Sequence, residues 1–303
     1  MAHWLVVGGA GFLGKHLVQR ILHKFDSISV VDTAHYPETW HHTQQIDCYR
    51  MAGEDITPAM IEGTEFAVYL AGQTDVKMGR ESPIYNFNRN VASLFSFLEA
   101  ARHCAHPPRI IYISSKNVYG SGSRLFTELD PLAPVEPYGM TKAMADIMCQ
   151  GYKEAYNLPI TVLRNTSTYG PHGRPDLVVS LFIKRALASM PITIYGKGDK
   201  RYDFNYVDNL IDAIMLAVKK EAGIYNIASG QRKSLNEWAA QIVQMCNSKS
   251  EILTDESKGG ESVEQLLSID KARGALGYSP KVLAREGLEK TIQWFRMQEN
   301  NKT

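Results

Sequence analysis

The first half of the chain alternates short, uninterrupted apolar runs with longer amphipathic ones. His3–Val7, Ser27–Val31, Phe66–Leu70, Arg109–Ser114 and Pro159–Leu163 are brief and rich in β-branched residues. That is the pattern of parallel strands covered on both faces. Between them, Phe12–His23, Pro83–His103 and Tyr138–Tyr156 carry helical spacing, and Pro107-Pro108 stops the second. The alternation predicts βαβ units and an α/β fold with a doubly wound parallel sheet. Beyond about Asn165 the rhythm loosens. Turn residues gather at Tyr169–Pro175 and Tyr195–Asp199, and helices are predicted at Leu177–Ser189, Asp208–Lys219 and Leu235–Cys246. The expected organisation is a first domain over 1–165, with a return segment near 202–228, and a smaller C-terminal α/β domain over 166–303.

Composition narrows the function. With 303 residues, 44% of them hydrophobic, the chain can bury a sizeable core. Lys+Arg (33) and Asp+Glu (32) nearly cancel, which argues against a nucleic-acid or polybasic membrane surface. No apolar run approaches the roughly 18 residues of a membrane span. The opening residues enter a strand without a signal-peptide pattern. Cys48, Cys104, Cys149 and Cys246 are scattered and form no CxxC pair, so neither a disulfide framework nor a zinc site is expected. A cytoplasmic protein with reduced thiols is the reading. His35, His41 and His42 lie in a polar loop without ligand spacing and are read as solvated, so no metal is expected.

The first strand runs into Gly8-Gly-Ala-Gly11-Phe-Leu-Gly14 and then an amphipathic helix. Gly8 permits the tight turn. Gly11 lets a pyrophosphate approach main-chain N–H groups at the helix start, and Gly14 allows close helix–strand packing. This is a Rossmann-type signature because of its position after a strand, not because of the glycines alone. Asp32 ends the second strand, where a carboxylate accepts hydrogen bonds from ribose hydroxyls and repels a 2′-phosphate. Thr33-Ala34-His35 offers no basic residue, so NAD is expected over NADP.

Tyr138 and Lys142 lie four apart in Pro137-Tyr-Gly-Met-Thr-Lys142 and share a helix face. A neighbouring ammonium and a cationic nicotinamide favour tyrosinate, which makes Tyr138 a candidate base toward a substrate hydroxyl. Ser115 stands upstream, off the end of a strand, where open α/β sheets place ligands. It could bind the same substrate oxygen and shuttle its proton.

These pieces together resemble the extended short-chain dehydrogenase/reductase family, in particular its nucleotide-sugar epimerases and dehydratases. The likeness runs from Gly8 to about Trp294. It includes Gly53-Glu-Asp55-Ile56, Leu70-Ala-Gly72, Asn90-Val91, Ser114-Ser115…Val118-Tyr119-Gly120, Asp203–Asp208 and Leu276–Pro280. Tyr169–Asp176 looks like the UDP-glucuronate 4-epimerase branch. The resemblance implies that Gly8, Gly11, Phe12, Leu13, Gly14, Asp32, Asp55, Ile56, Leu70, Ala71, Gly72, Asn90, Ser114, Tyr138 and Lys142 hold the cofactor. It implies Tyr138 as base with Ser115 its partner, and Thr74, Ser115, Asn117, Ser167, Arg174 and Arg201 toward a nucleotide-sugar substrate.

Three departures bear on the substrate. Ser167 stands where the family often has Asn. Tyr202 stands where it often has Arg, with Arg201 one residue earlier. Lys258-Gly-Gly-Glu261 replaces a late Arg-x-Gly-Asp element. Lys116-Asn117 occupies the place of the dehydratases' Asp-Glu pair and supplies the proton transfers of water elimination poorly. The leading expectation is a redox-neutral, NAD-dependent C4 epimerase. The alternatives are a 4-keto reductase or alcohol dehydrogenase of the same family, and a non-catalytic dinucleotide sensor. A homodimer is expected from the apolar excess on two helices: Val91, Leu94, Phe95, Phe97 and Leu98 on one, and Met140, Met144, Ile147 and Met148 on the other.

Overall fold

Parallel strands line up at the centre of the computed structural model, which describes residues 2–23, 26–122, 124–258 and 264–300. In chain order they are β1 (His3–Val7), β2 (Ser27–Asp32), β3 (Ile46–Arg50), β4 (Phe66–Tyr69), β5 (Arg109–Ser115), β6 (Ile160–Asn165) and β7 (Ile224–Ile227). Their spatial order is β7-β6-β5-β4-β1-β2-β3, and every neighbouring pair is parallel. The chain builds outward from β1 to β3 and then crosses back to β4 on the other side. The reversal leaves a crevice beyond the carboxyl ends of β1 and β4. This is the expected doubly wound, Rossmann-type sheet.

Two of these strands have no counterpart in the expectation from hydrophobic runs. In β3 only Ile46 is buried, because this edge strand turns Asp47, Tyr49 and Arg50 outward or part-way out. In β7 the buried Asn226 interrupts the apolar run. Its polar groups are all engaged: Oδ1 accepts from the Tyr119 hydroxyl (2.7 Å), Nδ2 donates to Phe126 O (3.1 Å) and the main-chain N–H donates to Glu128 (2.7 Å).

Successive side chains of a strand face opposite ways. Trp4 and Val6 of β1 join a hydrophobic cluster that runs through Ile183, Ile211 and Trp238 to Phe295. Leu5 and Val7 join a second, with Phe97, Leu98 and Cys149. The helices that cover the sheet are α1 (Phe12–Leu22), α2 (Ser93–Arg102) and α3 (Pro137–Tyr156). α2 continues the short helix Pro83–Phe87 through one π-helical turn, Asn88–Ala92. Further along come α4 (Val178–Leu187), α5 (Val207–Ala217), α6 (Leu235–Cys246) and α7 (Ala284–Asn300). α6 begins with a reciprocal cap between Ser234 and Glu237. A small sheet, Arg232–Ser234 with Arg201–Tyr206 with Ser167–Tyr169, stands over the carboxyl end of the large one. α5 packs back on α1, where Arg20 donates to Asp212.

Among the described residues no helix is long and apolar enough to cross a membrane. The four cysteines are free thiols. No group of His, Cys, Asp and Glu among the described residues could hold a metal ion.

Candidate active site

The turn after β1 is shaped by what it must not carry. Gly8 sits at φ +86°, where its N–H donates to Val31 O (2.7 Å). A Cβ there would come within 2.5 Å of Ala71 N, on the loop that leaves β4. A Cβ on Gly14 would meet Gly9 Cα at 2.4 Å, so α1 lies directly against the turn. Gly11 is exposed at the head of α1. Phe12 and Leu13 are half-buried and pack on the core. A cleft of about 220 Å³ opens here, walled by Gly8, Gly11, Asp32, Gly53, Leu70, Ala71, Gly72 and Arg89, among others. Asp32 closes one end. Its carboxylate accepts from Ala10 N and Ala34 N, both at 2.9 Å, so the acid is held by main chain and faces the cleft. A glycine-walled cleft between β1 and β4, with a fixed carboxylate beside it, fits a dinucleotide.

On the far side of Asp32, Gly53 lines the cleft, whereas Asp55 is exposed and Ile56 is 4% exposed within the core. Asn90, on the π-helical turn, faces inward. Its Oδ1 accepts from Gln73 N (2.7 Å), and its Nδ2 donates to Gln73 O (2.9 Å) and Thr141 Oγ1 (3.0 Å). It thereby clasps the Ala71–Gln73 loop to α3. Gly72 must lack a side chain for this, because a Cβ would stand 2.6 Å from Asn90 Oδ1.

Ser115 is the last residue of β5, and Tyr138 opens the first turn of α3. Both are buried, and the Ser115 side chain lies close enough to the Tyr138 phenol to favour its ionised form. Ser115 Oγ accepts from Asn117 N (3.2 Å), which ties the half-buried Asn117 to the same spot. Burial holds the Tyr138 phenol above its ordinary value, and the nearby Ser115 side chain opposes that. Lys142 lies one turn along, buried, with Nζ donating to Ile113 O (2.9 Å) and Tyr112 OH (3.2 Å). Desolvation lowers its amine to about 8. The ammonium is thus held beside the end of β5 rather than on the Tyr138 oxygen. Ser114 points the other way: its hydroxyl donates to Asp146 Oδ2 (3.2 Å), which also receives Arg164 Nε (2.8 Å).

The residues expected toward substrate divide. Arg174 donates to Thr74 Oγ1 (3.4 Å) and to Asp75 (2.6 Å), and also to Asp176. It bridges the loop after β4 and the loop 170–176. Ser167 is exposed at the start of its short strand. Arg201 is exposed and pairs with Glu264 (3.5 Å). The Lys258–Glu261 element lies outside the described residues except for the main chain of Lys258.

Two arginines near the cleft have no counterpart in the sequence reading. Arg89 lines the cleft and pairs with Glu54 (3.6 Å). Arg50 stands in register with Asp32. Lys116 is buried directly after Ser115. Its position is the one that the sequence reading set against the dehydratases' Asp-Glu pair.

The sequence profile of the NAD dependent epimerase/dehydratase family matches residues 4–228. The UDP-glucose 4-epimerase of Thermotoga maritima, solved with UDP-glucose, is 27% identical with a TM-score of 0.90; the match covers 98% of this chain and 99% of that one. The UDP-glucuronic acid 4-epimerase of Bacillus cereus, solved with UDP-glucuronic acid and NAD, is 25% identical with a TM-score of 0.91, over 98% and 99% of the two chains. The human dTDP-D-glucose 4,6-dehydratase is 28% identical over 316 residues, 96% of this chain and 89% of that one.

Proposed function

From membership of the NAD dependent epimerase/dehydratase family, to which this chain belongs, we propose that it is an NAD-dependent nucleotide-sugar epimerase that inverts a hexose at C4. The observation that carries this is the buried Ser115–Tyr138 pair, with Lys142 one turn along α3 and its Nζ next to Gly72, which lines the glycine-walled cleft. NAD, when bound, supplies acceptance and return of the hydride. Gly8, Gly11, Gly14, Ala71 and Gly72 are the residues that would cradle it, with Asp32 on the adenosine ribose and Lys142 on the nicotinamide ribose. Tyr138 takes the proton from the sugar hydroxyl and returns it. Ser115 holds the same oxygen and keeps the phenol oriented between the two transfers. Thr74, Asn117, Ser167, Arg174 and Arg201 are assigned to the nucleotide-sugar side, and residues 166–303 to a substrate-binding region.

We further infer a homodimer in the cytoplasm. The outward row consists of Ile84, Phe87 and Phe95 beside Met140, Met144 and Ile147, each at least 43% exposed. Leu94, Phe97 and Leu98 do not belong to it. They face the core, where Phe97 packs on Tyr69 at a centroid distance of 5.2 Å. Two copies of this row fit an isologous helical interface.

The test is incubation of the purified protein with NAD and either UDP-glucose or UDP-glucuronate, with products read by proton NMR. The expected result is a C4 epimer with no net NADH absorbance. Stoichiometric NADH would favour the oxidoreductase reading. NAD binding with no conversion of any nucleotide sugar would favour the sensor.

A further inference from the structure

A second cavity, of about 330 Å³, is larger than the glycine-walled cleft and shares no residue with it. It lies where the sheet outruns its cover. α3 packs on β5 and β6, and β7 stands one strand further out. The space left beside the second half of α3, against β6 and β7, is the cavity. Its floor is apolar. Ile160 and Val162 point to the same face of β6, and Ile224 of β7 and Cys149 of α3 join them. Cores close such gaps with side chains, whereas ligand sites keep an apolar floor with a few polar groups around it.

The rim carries charge, and the charge is uneven. Lys153 stands one turn beyond Cys149 on α3, and Lys271 reaches in from the helix Asp270–Leu276. Among the described lining residues Glu154 is the one carboxylate, 3.4 Å from Lys153 Nζ. Lys271 has its Nζ 5.2 Å from the centre of the Tyr225 ring, and the neighbouring Asp270 is held by Arg273 (2.8 Å). Gln150, also on the wall, is already engaged: its Nε2 donates to Asp146 Oδ1 (2.9 Å). Two ammonium groups therefore remain to meet a ligand above an apolar floor.

We propose that this cavity is a second binding site, apart from the cofactor and the sugar, for a small amphipathic carboxylate. The hydrocarbon part lies on Ile160, Val162 and Ile224, and the carboxylate takes charge-assisted hydrogen bonds from Lys153 and Lys271. A neutral molecule of the same shape gains the floor and forgoes the rim. A cation of the same shape meets two like charges. Lysine stems also cover apolar surface where no ligand binds, but that role alone would leave the cavity indifferent to the charge of an occupant. The site shares no residue with the Ser115–Tyr138 pair, so it stands or falls independently of the epimerase reading.

The experiment titrates the full-length protein, saturated with NAD, with octanoate, octan-1-ol and octylammonium by calorimetry. The three probes share a chain and differ in the charge of the head group. Octanoate is expected to bind at one site, at least about tenfold more tightly than octan-1-ol, with octylammonium the weakest. In the double variant Lys153→Met, Lys271→Met the preference for octanoate should fall below about threefold, and Lys153→Arg with Lys271→Arg should restore it. Ala222→Trp, which fills the cavity from its half-buried edge, should remove octanoate binding. NAD affinity and melting midpoint show whether each variant is folded, and the charge preference of the wild type is decisive without any variant. Octan-1-ol that binds as tightly as octanoate overturns the proposal. So does a preference that survives in the folded double-methionine variant, and so does octanoate uptake that never saturates or does not occur.

Discussion

The candidate site has two walls of different construction. Beside β1, β2 and β4 it is largely main chain: Gly8 against Ala71, the exposed Gly11, and Asp32 held by Ala10 N and Ala34 N. Beyond Ser115 it is side chain: Lys116 over Tyr202, Asn165 beside Ser115, and Arg174 spanning Thr74 and Asp75. A main-chain wall depends on conformation, so few residue types satisfy it. A side-chain wall depends on chemistry, so it can be rebuilt for another ligand with the fold unchanged. One wall suits a constant cofactor, the other a variable substrate.

The sharpest break comes at the seam between the walls. Tyr138→Phe is expected to lower turnover by about 10²- to 10⁴-fold while NAD binding stays largely intact, because the ring still packs and only the acid–base oxygen is lost. Near-wild-type turnover in a steady-state assay would falsify the catalytic assignment. Ser115→Ala should cost less, since it holds and shuttles but is not the base.

On the main-chain wall, Gly8→Val forces a Cβ against Ala71 N at 2.5 Å and a β-branched residue to φ +86°. Loss of NAD binding is expected, with about 1–3 kcal/mol of stability lost as well. Equilibrium denaturation in the presence and absence of NAD separates the two effects. A variant that still binds NAD with wild-type affinity would mean that the wall is not built as described.

Lys142 sharpens the comparison through pH. Its amine is lowered to about 8 by burial, so its charge is lost as pH rises through that value. Any hold on NAD that uses the ammonium should therefore weaken between pH 7 and 9, and Lys142→Met should bind more weakly with a flat profile. The stability sign is opposite. The unfolded amine titrates near 10.4, so the folded state bears the cost of the buried charge fully below about pH 8. That cost disappears as pH approaches the unfolded value. Lys142→Met is thus expected to melt no lower than wild type at neutral pH, despite being inactive. A fall of several degrees in calorimetry would contradict this. The smallest effect is expected at Asp32→Ala, where preference for NAD over NADP should relax by roughly tenfold, the scale of one hydrogen bond to a charged group. Titrating both cofactors reads it. Arg50, beside Asp32 in the sheet, is then free to attract a 2′-phosphate.

What could be read from the sequence follows the same division. The glycine turn, Asp32 and the Tyr138/Lys142 pair are local patterns, each set by a few neighbouring positions, and they emerge in the expected elements. The clasp of Asn90 on Gln73 joins residues from two elements, and nothing in either segment announces the other. β7 is hidden because a buried asparagine interrupts it, and that asparagine is satisfied by Tyr119, Phe126 and Glu128 from far upstream. The apolar residues of α2 were too many for one face, which was legible. Which of them point at Tyr69 and which point outward was not, because the π-helical turn shifts the helical phase. Lys116 was legible as a departure from the dehydratases' Asp-Glu pair, but its burial against Tyr202 is a property of the assembled wall.

The position of β7 has a consequence for how the protein is made. β6 ends at Asn165, and the strand that covers its open edge begins at Ile224. At about 5–20 residues per second of synthesis, that edge waits roughly 3–12 seconds on the ribosome for its neighbour. During the interval β6, a strand buried along its whole length in the finished fold, is the outermost one, with a ladder of unpaired main-chain groups available to any other chain. A nascent chain stalled between residues 165 and 224 is therefore expected to be more prone to aggregation than one stalled past 228. The N-terminal half carries the glycine turn and Tyr138, yet it becomes safe in a crowded cell only after a stretch from the other half has been threaded back into its sheet.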